Sequence, residues 1–297
     1  MSGALAPTRD DPLAVAPRMS AAMRLARMPR NASGIIGGAL VLGLVLMALI
    51  GPSLVGHDPL TLNIPQKIKP PSAQYLLGTD QLGRDILTRI VYGSRQSLLV
   101  ALVTVLISFG LGVPIGAIAG YIGGRLDNVL MRAMDAVMAF PALLLAIGLV
   151  AAIGPGLRGV MIVLGIVYIP VLARLVRAAV LAQREREFVE AARTIGQHER
   201  WILLRHVLPN AITPAIIQMT ITFGEAIYLE AALSFLGLGV QPPTPSWGSM
   251  LNESRGFMQS APHAAIFPGL IVAFAVLGFN LLGDGLRDIL DPRIRRV

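Results

Sequence analysis

Glu225 and Glu230 stand five residues apart in a segment, Ala211 to Leu233, that holds no other charged residue. A carboxylate at membrane depth costs about 2.5 to 3.5 kcal/mol on insertion scales, taking aspartate at a helix centre as reference, so both must face a bundle interior or a wet path. Glu225 could line a route and meet cationic groups on a passenger, or it could pair with a helix neighbour. Glu230 is expected to cap or pair close to the following loop. Asn280, in the final apolar run, is a third polar residue that could line such a route.

Other chemistries lack their residues. The only lysines are Lys67 and Lys69, followed by Ile68 and Pro70, so no Gly-Lys-Ser/Thr nucleotide loop can form and any ATP must be hydrolysed by another chain. His57, His198, His206 and His263 show no zinc-binding spacing, and no Gly-x-Ser-x-Gly turn offers a nucleophile. Asp80-x-x-Gly83-x-Asp85 has too few acidic positions for a calcium loop. Cysteine is absent, which removes disulfides and thiolate metal sites. Neither a catalytic residue nor a metal or cofactor site is therefore expected in this chain.

A different pattern lies in residues 184–210. Phe188, Ala191, Ala192 and Ile195 recur at spacings of three and four, an apolar stripe on a short helix flanked by Glu187, Glu190 and Arg193. Gly196 can end that helix. A second run, Gln197 to Leu208, carries Trp201, Leu204 and Leu208 on one face until Pro209 stops it or opens the next span. Two short amphipathic helices hinged at a glycine outside the membrane need something to cover the stripe. Periodicity alone leaves lipid and a protein partner open.

The elements that position these residues are membrane spans. Of 297 residues, 54% are hydrophobic and 14% charged, far below the roughly 25% charged share of a soluble domain. Gly34 to Val55 is 22 residues without a charge, about 33 Å of helix against a hydrocarbon core of about 30 Å. A second span is predicted within Ser97 to Gly124, its middle closely packed or kinked at Gly110, Gly112, Pro114 and Gly116. Asp135 and Arg158 bracket a third. A fourth has only 15 uncharged residues between Arg158 and Arg174 and needs an arginine to snorkel or the bilayer to thin. The fifth runs from about Ala211 to Leu233 and the sixth from about Ala264 to Leu282.

The net charge of +8 sits in loops beside apolar runs, a membrane pattern and not a nucleic-acid one. With the N-terminus inside, five arginines fall in residues 1–33, two in 125–135, seven in 174–208 and four in the C-terminal tail, all cytoplasmic. Five of the basic residues left outside lie in the long loop 56–96. Residues 1–33 read as a cytoplasmic tail without an evident secretory signal, and Arg24, Arg27 and Arg30 as a positive flank that could also lie on anionic lipid. Residues 34–286 form the membrane domain, with residues 287–297 a cytoplasmic tail.

Glu190, Ala191, Ala192, Gly196, His206, Leu208, Pro209 and Asn210 together resemble the coupling loop of permease subunits in bacterial ATP-binding-cassette importers. Three more segments resemble the C-type subunit of dipeptide, oligopeptide and nickel permeases. Residues 77–98 resemble the stretch before its second span, with Gly78 and Gly83 as turns and Asp80 and Asp85 as caps or pairs for Arg84 and Arg89. Residues 233–251 resemble its outer loop, with Pro242, Pro243 and Pro245 extended and Trp247 an interfacial anchor. Residues 280–293 resemble its ending, where Asp291-Pro292 halts the helix and Arg293, Arg295 and Arg296 stay inside. Tyr75 departs from the histidine expected there.

The resemblance implies an all-α, polytopic fold of six transmembrane helices, the type I ABC importer permease (MetI-like) architecture, in a bacterial plasma (inner) membrane with both termini cytoplasmic. It implies a second, homologous permease subunit, two ATP-binding subunits that hold the ATP and magnesium, an extracytoplasmic substrate-binding protein and surrounding lipid, with no nucleic acid. Phe188, Glu190, Ala191, Ala192, Ile195, Gly196, His206, Leu208 and Pro209 would form the ATPase-coupling surface. The passenger would be a dipeptide or oligopeptide, with nickel or haem as alternatives. An ion-coupled secondary transporter would share the hydropathy and could use Glu225 and Glu230 as cation sites.

Overall fold

The structure, a computed structural model, describes residues 32–290. The expected N-terminal tail, with Arg24, Arg27 and Arg30, and the ending from Asp291 to Arg296 lie outside those residues. Ten helical segments organise the described chain: α1 Ala32–Leu49, α2 Ile86–Ile122, α3 Gly124–Met138, α4 Ala142–Ile153, α5 Leu157–Arg184, α6 Glu187–Thr194, α7 from Glu199–Ile202 through a π turn at Leu203–Val207 into Leu208–Ala211, α8 Thr213–Phe235, α9 Trp247–Ser254 and α10 His263–Leu290. Among the described residues the only extended pairing is a single bridge between Thr79 and Asp85.

Five helices, α1, α2, α5, α8 and α10, are long and apolar enough to cross a membrane, and the pair α3 and α4, bent by 90°, brings the number to six when taken together as one broken span. The bounds differ from the charge-free runs, and each difference has a physical cause. Helix α2 starts eleven residues before Ser97 because Asp85 caps it, accepting from the Thr88 amide at 3.0 Å. Its 37 residues, about 55 Å, exceed the hydrocarbon thickness, so its first turns stand outside it. Arg95 sits in those turns and donates to the Ala48 carbonyl at 2.6 Å, capping the end of α1.

The short fourth span is corrected in the same way. Helix α5 is 28 residues long, about 42 Å, and runs straight through Arg174 and Arg177. Those arginines are tolerated because α3 answers them with Asp135 and Asp127. The third crossing is shorter than expected: α4 has 12 residues, about 18 Å, because the chain turns sharply at Phe140-Pro141 after the amphipathic α3.

Helices α2 and α5 form the backbone of the bundle. Gly112, Gly116 and Gly120 recur every four residues on the α2 face that meets α5. A Cβ at Gly116 would fall 2.3 Å from the Ala173 carbonyl oxygen and one at Gly120 2.7 Å from that of Arg177, so the backbones touch there. Gly110, by contrast, faces open space. Helix α1 packs against α10, where Gly37 would place a Cβ 2.3 Å from the Leu282 amide.

At the N-terminal end of α2, loop 56–85 and α9 form a polar cap. Gly78 and Gly83 take the positive φ of the turns predicted for them, +81° and +75°. Asp80 binds both Arg84 Nε and Arg89 Nη1 at 2.7 Å, and Glu253 on α9 completes the cluster by pairing with the same two arginines. Trp247 is not the interfacial anchor expected: it is fully buried, and its indole N–H donates to the Ile90 carbonyl at 3.1 Å. An indole inside needs that partner, and α2 supplies it.

Candidate functional site

Residues 184–211 close one end of the bundle, where α2 ends and α5 leaves it. Helix α6 starts after extended Arg186, whose carbonyl accepts from Val189 at 2.9 Å. It ends in a Schellman arrangement: Gln197 N–H donates to Ala192 O at 3.2 Å, Gly196 N–H to Arg193 O at 2.9 Å, and Gly196 takes φ +76°. The glycine predicted to end the helix thus sits in the left-handed position where a side chain is strained.

Two faces of this helix pair have opposite fates. Val189 and Ala192 on α6 and Ile202, Val207 and Ala211 on α7 are buried against Val113, Ala117 and Tyr121 of α2 and Leu172, Val176 and Val180 of α5. The opposite face is bare. Phe188 is 40% exposed, Ile195 81%, Trp201 49% and Leu204 60%, and Glu190, Ala191 and Gly196 are exposed with them. The sequence-predicted stripe therefore divides: Ala192 turns into the bundle, with Val189 as its partner, while Phe188, Ala191 and Ile195 face outward. Leu208 is half-buried against the core and Pro209 is exposed.

Polar contacts fix the angle between the two helices. His206 Nε2 lies 3.0 Å from Gln197 Oε1, bringing the second helix back onto the residue after the bend. Asn210 Nδ2 donates to the His206 carbonyl at 2.6 Å. Arg193 Nε donates to Glu199 Oε1 at 2.9 Å, and the Tyr121 hydroxyl of α2 donates to Oε2 of the same carboxylate. The Arg193 guanidinium, then the Tyr121 hydroxyl, hold the Glu199 carboxyl below the usual glutamate range. Arg184 Nη1 donates to the Gly120 carbonyl at 3.0 Å, tying the end of α5 to the end of α2. Pro209 does not stop α7. The π turn just before it widens the helix where the ring would crowd the preceding turn and the N–H is missing.

The three path candidates occupy three different environments. Glu230 is completely buried in α8, accepting from Ser97 Oγ of α2 at 3.0 Å and Ser234 Oγ at 2.7 Å, so it ties helices together and reaches no open surface of this chain. Glu225, one and a half turns earlier, is exposed, with the Tyr168 hydroxyl of α5 within reach. Asn280 is half-buried on α10, beside Phe279, which stacks on Phe223 of α8 at 4.2 Å between ring centroids. The structure does not bring Glu225, Glu230 and Asn280 into one cluster. Among the described residues no group of histidine and acidic side chains is arranged to hold a metal ion.

Sequence reasoning placed Arg193 on the flank of the stripe but missed Tyr121, Glu199 and Ile202 as parts of this closure. Tyr121 gave no signal, because it ends a charge-free run and its partner lies 78 residues away. The Glu199 position, one residue into a helix and six after Arg193, could have suggested the pair.

Comparison with known proteins places this architecture. Residues 112–296 match the family described as binding-protein-dependent transport system inner membrane component. The dipeptide transport system permease protein DppC of Alkalihalophilus pseudofirmus is 44% identical, over 97% of this chain and 94% of the relative. The glutathione transport system permease protein GsiD of Pectobacterium atrosepticum is 42% identical, over 91% of this chain and 90% of that one. Among solved structures, an inward-facing form of the MetNI methionine ABC transporter superposes with a TM-score of 0.57 at 19% identity, over 68% of this chain and 96% of the other. At that identity the likeness speaks for the fold.

Proposed function

The chain belongs to the binding-protein-dependent inner-membrane transport components, and on that premise we propose that it is the permease subunit through which short peptides cross the membrane, driven by ATPase chains docked on α6 and α7. One observation carries the docking: an apolar face made of Phe188, Ala191, Ile195, Trp201 and Leu204 is bare on a helix pair whose other face is locked into α2 and α5. A rigid lever with an uncovered end transmits motion. When the ATPase chains close on that face, the displacement passes through Val189 and Ile202 to the inner ends of α2 and α5, and so to the spans.

No residue of this chain acts as a catalyst in this reading. ATP and magnesium are held by the partner ATPases, a second permease chain completes the path, and an external binding protein delivers the passenger. Both termini lie in the cytoplasm, as the arginine distribution favours. The names of the relatives, dipeptide and glutathione permeases, support a short peptide as passenger.

Ala191 provides the test, since it is exposed and its replacement leaves the bundle core alone. Ala191→Arg is expected to cut ATP-driven uptake by about tenfold or more and to reduce co-purification of the ATPase subunits, as an unpaired charge in the centre of a docking face does. Uptake and co-purification both at wild-type level would overturn the docking role. Uptake that continues without any ATPase but collapses with the ion gradient would instead favour an ion-coupled transporter.

A further inference from the structure

Two cavities follow one another along the groove between the α3–α4 segment and α5. The inner one, about 360 Å³, is lined by Asn128, Met131, Arg132, Asp135, Arg174 and Arg177. The next, about 240 Å³, is lined by apolar side chains of α3, α4, α5 and the turn at Phe140, among them Val137, Phe140, Leu145 and Val171, and is bounded by Tyr168. Glu225 of α8 lines neither cavity but is exposed, with the Tyr168 hydroxyl at the cavity's edge within its reach. The groove therefore grades from basic to apolar, with an acidic side chain next to the tyrosine at its apolar edge.

The charge balance at the inner end leaves one cation over. Asp135 pairs with Arg174 and Asp127 with Arg177, the latter through both guanidinium nitrogens. Arg132 is exposed and has no ion pair among the described residues. At the other end Glu225 has the Tyr168 hydroxyl beside it and no ion pair among the described residues. Tyr168 and Arg174 are six residues apart on α5, and Tyr168 and Arg177 nine, giving about 9 to 14 Å between the two ends. An extended peptide of about three to four residues spans that distance.

We propose that this groove is a subsite for a short peptide with free termini: the carboxyl terminus at Arg132 beside Arg174, the side chains against Val137, Phe140, Leu145 and Val171, and the amino terminus at Glu225 and Tyr168. The inference rests on the peptide-import reading above and deepens it. A phospholipid also offers an anion and an apolar body, but its acyl chain would end against the Glu225 carboxylate, which a free amine matches and a methylene does not. The deep end of the groove thus selects the peptide.

The test uses the whole complex, this chain with its second permease and ATPase subunits, in nanodiscs containing phosphatidylglycerol, without the binding protein so that its own selectivity is absent. The probe is a tripeptide with a benzophenone side chain at its centre. Photo-crosslinks are expected within residues 137–145 or 167–171, competed by a free tripeptide and about tenfold less well by its N-acetyl or C-amide form, the size of a lost charge-assisted hydrogen bond. Arg132→Gln is expected to abolish discrimination against the amide only, and Glu225→Gln that against the acetyl form only. Crosslinks elsewhere, equal competition by capped peptides, discrimination unchanged in the variants, or competition by phosphatidylglycerol in place of peptide would each overturn the subsite. ATP-driven peptide uptake by the wild-type complex with its binding protein is measured in parallel. Uptake without groove crosslinks removes the subsite and leaves peptide import standing, whereas absence of peptide uptake removes the import reading and the subsite with it.

Discussion

Glu230 and Glu225 show how little a residue type says until its neighbours are known. Both are carboxylates in one uncharged run, yet one is sealed between Ser97, Ser234 and the outer cap and the other stands open beside Tyr168. Glu230→Leu strands two buried hydroxyls, each at about 1 to 3 kcal/mol, and is expected to lower the thermal midpoint of the purified protein by several degrees. Glu230→Gln keeps a polar group in place and should fall between. Scanning fluorimetry distinguishes them, and midpoints equal to wild type in both variants would show that the tie contributes nothing. Gly196 is decided by its backbone: at φ +76° a β-branched residue costs about 1 to 2 kcal/mol, and asparagine less. Gly196→Val should therefore impair ATP-driven uptake more than Gly196→Asn, with the midpoint of the bundle unchanged in each. Equal uptake in the two variants would remove the bend from the mechanism.

Among the elements, the pair α6 and α7 is fastened to the bundle by a contact that titrates. Glu199 is held below the ordinary glutamate range by Arg193 and Tyr121, so its stabilising contribution is complete above the unfolded pKa of about 4.3 and is lost as pH falls through the lower, folded value. Amide exchange in residues 187–211 should accordingly quicken on acidification below the ordinary glutamate range, and Tyr121→Phe should show part of that loosening already at neutral pH. Exchange in this segment that is insensitive to both would mean that the apolar contacts of Val189 and Ile202 hold it alone. The existence of these two helices, the bend between them and five of the spans were legible in the sequence, because apolar period and a glycine stop are local signals. The length of α5 and the break before α4 were not. A charge count treats every arginine as an exit from the membrane, and it cannot see that Asp127 and Asp135 on a neighbouring helix meet Arg177 and Arg174. The burial of Trp247 was hidden for the same reason, since its hydrogen-bond partner at Ile90 is 157 residues away.

Over the whole molecule, polar contacts gather in two layers with an apolar zone between them. One layer holds the Asp127, Asp135 and Glu199 pairs, the other the Asp80, Arg84, Arg89 and Glu253 cluster, and between them Leu42, Leu106 and Leu144 are exposed on the bundle surface. Side chains of that kind on a bundle face belong against hydrocarbon or a second subunit. In the proposed function the two layers have separate tasks, one receiving the ATPases and the other the delivered passenger, and on that reading they should be separable in stability. Glu253→Ala leaves two buried guanidinium groups to share Asp80, and removing one partner of a buried pair costs about 3 to 5 kcal/mol. The loss should appear as faster amide exchange in residues 56–96 and 247–254, with residues 187–211 at their wild-type rates. Glu253→Gln, which retains an acceptor without the charge, should give the same pattern at smaller amplitude. If both layers loosened together in the alanine variant, the outer cap and the inner lever would form one cooperative unit, and a signal arriving at either face would reach the other through stability itself as well as through rigid movement of α2 and α5.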